Sequence, residues 1–353
     1  MKKSEEYVVG LMSGTSLDGL DICLAHFCEE GGKFRYSLEE AMTIPYSPDR
    51  IEKLQLAEKC VGAELHDLHQ EFGTFLGKEV LKFLSGIDAK KQPTIVSSHG
   101  HTIYHRPIAG YTFQLGSGIS LAKTCGITTV CDFRTGDVAL GGQGAPLVPI
   151  GDQLLFHEYQ RCLNLGGFSN ISFEENGKRI AFDICAVNYV LNKLALREGK
   201  SYDDAGAISS TGKIISPLLK VLNDLDYYKH SPPKSLGREW VEVNIIPLMN
   251  TGHTTADLLA TFTEHIAIQI GQFVPAGNTA LLTGGGAHNQ FLVSRLKHHS
   301  SGEIFLPEKK IIDFKEALVF AFLGWLRYHN RINTLSSVTG ASLDSSSGAI
   351  FLP

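Results

Sequence analysis

Three glycine-rich stretches provide backbone that can approach a bound anion closely. They read GLMSGTSLDGL (10–20), LNLGGFSN (163–170) and LLTGGGAHN (281–289). Turns of Gly, Ser and Thr can direct several N–H groups and hydroxyls into one concavity, which binds phosphate without a lysine. Because no GxxxxGK[ST] motif is present, we expect these turns, rather than a Walker loop, to hold the two ends of a nucleotide triphosphate. Three ordinary turns are the alternative interpretation.

Two aspartates lie beside the first of these turns. Asp18 falls within the turn, whereas Asp21 alternates with apolar residues and could equally occupy the solvent face of a strand. Magnesium prefers carboxylate, phosphate and water oxygens. We therefore expect Asp18 to contribute to a magnesium shell through a bridging water, next to the phosphates of the nucleotide.

Two further acidic residues, Asp183 and Glu316, adjoin apolar runs. Asp183 lies in the predicted strand 179–184 just before a predicted helix, so its side chain either points into a cleft or caps that helix. Glu316 lies beside the apolar face of the last long helix, where it either pairs with a neighbour, faces a cleft or lies on the surface. Partial burial raises the affinity of an aspartate for protons, which suits a general base at neutral pH.

The loop SHGHTIYHRP (98–107) concentrates cationic and N–H donors. Its histidines, His99, His101 and His105, suggest zinc, but no cysteine or fourth ligand stands at a spacing that would complete such a site. Arg106 or one of the histidines is better suited to an anionic group such as a carboxylate.

A second charged group precedes the glycine-rich loop 141–146. It comprises Asp132, Arg134 and Asp137. We expect these side chains either to form the wall of a cleft or to pair with one another as a structural element.

The elements that must position these residues recur along the chain. The predicted strands of the two halves are 7–12, 20–27 and 34–44, and then 161–166, 170–175 and 179–184. Apolar residues at steps of three and four predict a helix over 64–85 in the first half, and a helix near 187–197 follows in the second. A repeated βββα scheme favours an α/β fold of two similar lobes, although such recurrence can arise by chance.

Composition excludes several classes of function. The 353 residues are 43% hydrophobic and 20% charged, which is typical of a globular protein with room for two domains. A net charge of −5 without a basic run argues against nucleic-acid binding, and no apolar stretch reaches the roughly 20 residues that span a bilayer. Seven cysteines without a CxxC pair indicate free thiols and a cytoplasmic location.

Longer strings carry a resemblance to a known family. The chain resembles the anhydro-N-acetylmuramic acid kinases almost end to end, through GLMSGTSLDGLD (10–21), SSHGHTIYHRP (97–107), DFRTGDVALGGQGAPLVP (132–149), LNLGGFSNIS (163–172), AFD…N (181–188), PKSLGRE (233–239), LLTGGGAHN (281–289), DFKEALVFAFLGW (313–325) and SSVTGAS (336–342). The resemblance implies a two-lobed, duplicated actin-like ATPase fold of the sugar kinase, Hsp70 and actin superfamily, with a nucleotide cleft between the lobes. We expect residues 1–128 and 331–353 to form the N-terminal lobe and 129–330 the C-terminal lobe.

The resemblance also implies an unusual reaction with ATP and Mg²⁺. Water opens the 1,6-anhydro bridge of 1,6-anhydro-N-acetylmuramic acid with Asp183 as the general base. The freed O6 takes the γ-phosphoryl group, which gives N-acetylmuramic acid 6-phosphate, a step in cell-wall recycling. Beyond the amino sugar, no nucleic-acid or membrane partner is expected, and a homodimer is left open. The alternatives are another sugar or carboxylate kinase of the superfamily and a catalytically silent ATP-binding regulator.

These motifs and the resemblance together define the expected site. The nucleotide is expected to contact Gly14, Thr15, Ser16, Leu17, Asp18, Gly19, Leu20, Asp21, Gly166, Gly167, Asn170, Gly284, Gly285 and Gly286. The sugar is expected to contact His99, Arg106, Asn188 and Glu316. The chain departs from the family pattern at Cys185-Ala186, where Gly-Pro is usual, which leaves the geometry of the loop after Asp183 open. The sequence assigns no role to PKSLGRE.

Overall fold

The computed structural model describes residues 4–14, 16–250 and 252–353. The chain divides into two compact units, the first running up to Leu155 and resuming from Phe314 to Pro353, the second spanning Phe156–Asp313. The sequence predicted divisions after residues 128 and 330. The first division falls later because the strand Thr128–Cys131 pairs within the first sheet. The second falls earlier because the last long helix packs on that sheet from Phe314 onward.

Twelve strands and thirteen α-helices are described. The strands are β1 (Ser4–Ser13), β2 (Gly19–Glu30), β3 (Lys33–Pro45), β4 (Pro93–Arg106), β5 (Tyr111–Leu115), β6 (Thr128–Cys131), β7 (Arg161–Leu165), β8 (Phe168–Glu175), β9 (Lys178–Ala186), β10 (Thr279–Thr283), β11 (Glu303–Phe305) and β12 (Ala349–Phe351). The helices are α1 (Pro48–Leu56), α2 (Gly62–Leu84), α3 (Gly118–Cys125), α4 (Thr135–Ala139), α5 (Pro149–Leu155), α6 (Asn188–Ala195), α7 (Ser216–Asn223), α8 (Arg238–Asn244), α9 (Ile246–Met249), α10 (Thr255–Gly271), α11 (Gln290–His299), α12 (Lys309–Tyr328) and α13 (Ser336–Thr339).

The first unit is built on a sheet with the strand order β12-β6-β4-β1-β2-β3, in which β5 pairs with β4. Strands β1, β2 and β3 are antiparallel, whereas β4 and β6 run parallel to β1. Helix α2 buries the residues Phe72, Leu76 and Val80 in the core of this unit, as their helical spacing predicts. Gly10 of β1 contacts Ala317 of α12 so closely that a Cβ atom would clash with its carbonyl.

The second unit repeats this arrangement with the strand order β11-β10-β7-β8-β9. Strands β7, β8 and β9 are antiparallel, and β10 and β11 run parallel to β7. With β5 and β12 set aside, the two sheets have the same order and the same strand directions. The predicted α/β class and duplicated architecture are therefore confirmed. The nucleotide cleft between the lobes stays a prediction.

The core of the second unit gathers around α10. Leu258, Phe262, Ile266 and Ile270 of this helix are fully buried and pack with the apolar residues of β7, β9 and β10. None of the helices in the described ranges is both long enough and apolar enough to cross a membrane.

Candidate active site

In the second unit, two of the glycine-rich stretches pack against each other. Residues 166–167 form the turn between β7 and β8, and residues 284–286 follow β10, which pairs with β7. A Cβ atom at Gly284 would lie 2.6 Å from Oδ1 of Asn164. Gly284 also has a φ of 85°, which residues with side chains rarely adopt. We call residues 166–167 and 284–286 together the glycine cradle.

The glycine cradle presents backbone amides beside open space. Within the described part of the chain, no hydrogen bond uses the N–H groups of Gly167, Gly285 or Gly286. A Cβ atom would meet nothing closer than 3.9 Å at Gly167 and nothing closer than 3.8 Å at Gly285. Unused backbone amides beside open space are suited to bind phosphate oxygens. The cradle can therefore hold part of a polyphosphate chain.

Asn188, at the start of α6, supports the glycine cradle. Its main-chain N–H donates to the carbonyl of Gly166 at 3.2 Å, and its side-chain Nδ2 donates to the carbonyl of Leu165 at 3.3 Å. The sequence predicts Asn188 as a sugar contact. In the structure its contacts fix the turn at residues 166–167.

Asp183 lies within β9 in a row of polar residues. It is paired in register with Asn170 of β8, which is paired with Asn164 of β7. Residues directly opposite one another share a face of the sheet, so the three side chains stand on one face. Asn170 is exposed and Asp183 is half-buried. The strand continues to Ala186, so Asp183 is not the cap of α6.

Four hydrogen bonds hold Asp183 in place. Its carboxylate Oδ2 accepts from the main-chain N–H of Leu236 at 2.9 Å and from the hydroxyl of Ser235 at 3.3 Å. Its main-chain N–H donates to the carbonyl of Lys234 at 3.3 Å, and its carbonyl accepts from the hydroxyl of Tyr227 at 2.7 Å. Among the residues that the structure describes, none donates a hydrogen bond to Oδ1. One carboxylate oxygen is thus fixed and the other is free to act.

The electrostatic environment makes Asp183 a better proton acceptor than an ordinary aspartate. Loss of solvation on partial burial raises the pKa of its carboxyl group, and the hydrogen bonds from Leu236 and Ser235 lower it in part. The net shift is upward. A raised pKa increases the basicity of the carboxylate, as general-base catalysis at neutral pH requires.

The segment at Cys185-Ala186 is tied into the second sheet. Cys185 is fully buried, and its main-chain N–H donates to the hydroxyl of Ser169 at 3.2 Å. The next residue, Val187, donates its N–H to the carbonyl of Gly167 at 2.9 Å. These bonds connect the residues after Asp183 to the glycine cradle.

In the first unit, two hydrogen bonds are described within the turn between β1 and β2. The hydroxyl of Ser16 donates to Oδ1 of Asp18 at 2.7 Å, and the N–H of Leu17 donates to the carbonyl of Gly14 at 3.4 Å. Leu17 has a φ of 63°. Asp18 is exposed, which leaves it accessible to a cation or a phosphate group. Thr15, another predicted nucleotide contact, lies outside the described residues.

Three other residues predicted to bind the nucleotide have contacts within the first unit. A Cβ atom at Gly19 would lie 2.6 Å from the carbonyl oxygen of Ile44, so this glycine permits close pairing of β2 with β3. The side chain of Leu20 is fully buried in the core, and only its backbone is available to a ligand. Asp21 accepts a hydrogen bond from the hydroxyl of Thr43 at 2.6 Å.

His99 and Arg134 form a buried pair in the first unit. Nδ1 of His99 must donate to the carbonyl of Gly100 (2.9 Å), so its Nε2 carries the lone pair that accepts from Nε (3.1 Å) and Nη2 (2.8 Å) of Arg134. Nη1 of Arg134 donates to the carbonyl of Gly144 at 2.6 Å. Burial and the neighbouring guanidinium lower the pKa of His99 well below its ordinary value. The neutral imidazole therefore orients Arg134.

Arg134 keeps its charge while it is held in this way. Loss of solvation lowers its pKa to about 10, and Glu316 and Asp137 oppose that shift, so the guanidinium stays protonated at neutral pH. Two of its five N–H groups are left for another acceptor. The sequence analysis named Arg134 only as part of a cleft wall or a structural pair.

Glu316, on α12, has a carboxyl group that water reaches. The surrounding protein nevertheless removes part of its solvation, which raises the pKa of the carboxyl group; Arg134 lowers that pKa and Asp21 raises it. The structure thus brings Glu316 into the electrostatic range of Arg134, as expected for residues that share a site. The preceding residue, Lys315, forms a buried ion pair with Asp152 at 2.6 Å.

Arg106 has no hydrogen bond or ion pair with this group among the described residues. It is the last residue of β4, exposed, and paired in register with Tyr111 of the β4–β5 hairpin. Loss of solvation lowers the pKa of the residue before it, His105, and Arg134, which lies within electrostatic range, contributes to that lowering. The structure therefore joins His99 with Arg134 and Glu316, and the contact of Arg106 with the sugar stays a prediction.

A family model described as anhydro-N-acetylmuramic acid kinase matches residues 6–353. Proteins of that name are 36% identical in Aliivibrio fischeri and 34% identical in Mannheimia succiniciproducens, each alignment covering 98% of this chain and 99% of the relative. The chain belongs to the anhydro-N-acetylmuramic acid kinase family. The resemblance stated from the sequence motifs is therefore confirmed.

Similarity to solved structures is more distant. Component A of the (R)-2-hydroxyglutaryl-CoA dehydratase of Acidaminococcus fermentans has a TM-score of 0.47 and 13% identity, over 92% of this chain and 99% of that one. Gluconate kinase from Lactobacillus acidophilus has a TM-score of 0.43 and 10% identity, over 99% and 94%. The duplicated architecture is supported instead by the strand order that the two sheets share.

Two strings of the anhydro-N-acetylmuramic acid kinase family, at 132–149 and 336–342, meet at Asp137. This buried carboxylate accepts from the N–H of Gly144 and from the hydroxyl of Thr339, both at 2.7 Å. Gly144 in turn binds Arg134 through its carbonyl. Asp137 therefore supports the loop that positions Arg134.

Another family string, PKSLGRE, gains a role from the structure. Its residues 234–236 provide three of the four hydrogen bonds that hold Asp183. Because they lie about fifty residues further along the chain, no local pattern in the sequence could pair them with Asp183. The resemblance of the string to the family pattern is the signal that the sequence itself carried.

The donors at the β1–β2 turn are compatible with magnesium. Across residues 4–14, 16–250 and 252–353, no group of three or more His, Cys, Asp or Glu side chains lies close enough to hold a metal ion by itself. Magnesium commonly binds one or two carboxylates and completes its shell with water and substrate phosphates. The exposed carboxylate of Asp18 fits that donor set.

Proposed function

We propose that this protein is an ATP-dependent kinase that opens the 1,6-anhydro bridge of 1,6-anhydro-N-acetylmuramic acid with water and phosphorylates O6. The observation that carries the proposal is the state of Asp183: a half-buried carboxylate of raised pKa, with Oδ2 held by two donors. An ordinary hydroxyl kinase and a silent regulator are the alternatives that the experiment below separates from it.

Asp183 takes a proton from water as the water oxygen bonds to C1 of the sugar. The C1–O6 bond breaks and its electron pair stays on O6. This oxygen forms a bond to the γ-phosphorus, and the bond from that phosphorus to the bridging oxygen of ADP breaks. The products are N-acetylmuramic acid 6-phosphate and ADP, and the proton on Asp183 is returned to solvent.

Four groups bind the reactants in this proposal. The glycine cradle donates its free amides to the phosphates of ATP, and Asp18 holds magnesium through water. Bound magnesium would neutralise phosphate charge during the transfer. The charged guanidinium of Arg134, oriented by His99, pairs with the lactyl carboxylate of the sugar. Glu316 accepts hydrogen bonds from the sugar.

Incubation in ¹⁸O-labelled water tests the reaction. Purified protein with ATP, Mg²⁺ and the anhydro sugar should give N-acetylmuramic acid 6-phosphate with one solvent oxygen at C1, read by mass spectrometry after rapid quenching. Authentic product kept in the same water measures slow exchange at C1. A phosphorylated product that retains the anhydro bridge would instead indicate a hydroxyl kinase, and absence of any product would reject the proposal.

The proposed setting is cell-wall recycling in the cytoplasm. The chain's seven cysteines are free thiols in the structure, which supports a reducing compartment. Homodimer formation is an expectation that size measurements in solution would test.

A further inference from the structure

Residues 234–236 close the open edge of β9 beside Asp183. β9 is the last strand in the order of its sheet, so β8 pairs with only one of its edges. Across the other edge, the N–H of Asp183 donates to the carbonyl of Lys234, and the N–H of Leu236 donates to Oδ2 of Asp183. At Asp183, these residues therefore make the hydrogen bonds that a neighbouring strand would otherwise make.

The segment is anchored on both sides of Ser235. Leu236 is buried in the core of the second unit. The ammonium group of Lys234 donates to the carbonyl of Tyr227 at 3.3 Å and lies 4.7 Å from the centre of its ring. The hydroxyl of Tyr227 returns to the carbonyl of Asp183 at 2.7 Å. The backbone at Ser235 is thus fixed relative to Asp183.

Ser235 itself is exposed, yet its hydroxyl lies 3.3 Å from Oδ2 of Asp183. Both donors that the structure gives to this carboxylate therefore bind the same oxygen atom. Two donors on Oδ2 restrict rotation of the carboxylate and make its two oxygens unequal. The described residues give Oδ1 no such restraint.

We propose that Ser235 is a positioning residue that, with the Leu236 amide, holds Oδ2 of Asp183 so that Oδ1 is the atom that accepts the proton from water. This inference rests on the proposed function, because it assigns an atom to the general base of that reaction. The Ser235 hydroxyl does not contact the sugar in this role and acts only through the carboxylate.

Three variants test the positioning role. Ser235→Ala removes the donor, Ser235→Thr keeps it, and Ser231→Ala is the matched control, an exposed serine on the same loop with no described hydrogen bond. Carbon-13 NMR of aspartate-labelled protein follows the Asp183 carboxyl, assigned by the signal that disappears in Asp183→Asn. Because a donor favours the ionised carboxylate, Ser235→Ala should raise the titration midpoint, whereas the other two variants should keep it.

Kinetics on the same variants give the functional readout. The acid limb of the pH profile of kcat/KM should move to higher pH in Ser235→Ala. We expect kcat/KM to fall by about three- to tenfold on the acidic side and by less on the alkaline side, because one hydrogen bond to a charged group is lost. The KM for ATP should not change. Ser235→Thr should restore the profile.

The outcomes separate the two proposals. An unmoved NMR midpoint in Ser235→Ala, or a loss of kcat/KM that is equal at every pH, would overturn the positioning role. If the midpoint moves as expected but the wild-type protein does not convert the anhydro sugar, the proposed function fails while the effect of Ser235 on Asp183 stands. Thermal unfolding of each variant controls for loss of the fold.

Discussion

The two units share a strand order but build their functional groups from different parts of the chain. In the second unit, backbone groups dominate: the glycine cradle is packed so tightly that Gly284 admits no side chain, and an amide fixes Asp183. In the first unit, charged side chains dominate: His99 orients Arg134, and Asp18 is exposed in the turn after β1.

This difference shows what a shared topology does and does not determine. The common strand order places a turn after the first strand of each unit. It does not determine whether glycines there serve packing or ligand approach. Gly19 serves packing between strands, whereas Gly167 and Gly285 border open space. The equivalent motifs therefore require separate tests in each unit.

The largest effect on substrate binding is expected from the charged group of the first unit. Arg134→Ala should raise the KM for the anhydro sugar by about 10- to 100-fold, because a hydrogen bond to a charged group contributes about 1.5–3 kcal/mol. Arg106→Ala is the matched control and should change this KM less, since the exposed Arg106 at the end of β4 has no described hydrogen bond that orients it. Equal effects of the two substitutions in steady-state kinetics would contradict the special role of the oriented Arg134.

In the second unit, two neighbouring glycines should respond differently to the same substitution. Gly284→Ala should lower the free energy of unfolding by about 1–3 kcal/mol, because it places a Cβ at a φ of 85° and against Asn164. Gly285→Ala should leave stability unchanged and weaken ATP binding about tenfold, because its Cβ would enter the open space of the cradle. Chemical denaturation and calorimetric titration measure these effects. Unchanged ATP affinity in Gly285→Ala would show that the phosphates bind elsewhere.

The first unit offers a corresponding pair with a smaller expected effect. Gly19→Ala should destabilise the fold by about 1 kcal/mol or more, since its Cβ would lie 2.6 Å from the Ile44 carbonyl. Gly14→Ala should unfold like the wild type and weaken ATP binding a few-fold, because its nearest obstacle is the Ser16 hydroxyl at 3.3 Å. If Gly19→Ala folds normally and loses nucleotide affinity instead, the packing role assigned to it is wrong.

The last effect concerns stability at mildly acid pH. Burial lowers the pKa of His99, His101 and His265, the last to about 3, from an ordinary 6.5. Below pH 6.5 these histidines bind protons in the unfolded chain but not in the folded protein. The free energy of unfolding therefore decreases as the pH falls below 6.5, by up to about 1.4 kcal/mol per pH unit for each histidine.

Denaturation between about pH 6.5 and 5, above the ordinary range of carboxyl groups, measures this slope. His265→Gln should flatten it, whereas substitution of the exposed His298 should leave it unchanged. A free energy of unfolding that stays constant across this range would contradict the neutral, buried state of the three histidines.

Local pattern was sufficient to predict much of the fold. Alternation and helical spacing located β1 to β3, β7 to β9 and α2, because one face of each element packs toward a core. The family strings singled out Asp183 and the glycines of the cradle as candidate site residues. The sequence could not pair His99 with Arg134 or residues 234–236 with Asp183, since those contacts depend on how distant segments pack. It also could not distinguish a packing glycine such as Gly19 from an open one.

The central claim is that Asp183 activates the water that opens the sugar. The most direct measurement compares wild-type protein and Asp183→Asn in a single turnover with ATP, Mg²⁺ and the anhydro sugar, after calorimetry has established the ATP affinity of each. The account predicts equal ATP affinity and a loss of sugar phosphate formation of at least about 100-fold in Asp183→Asn, the lower end of what a general base contributes. Sugar phosphate formed by Asp183→Asn at the wild-type rate would contradict it.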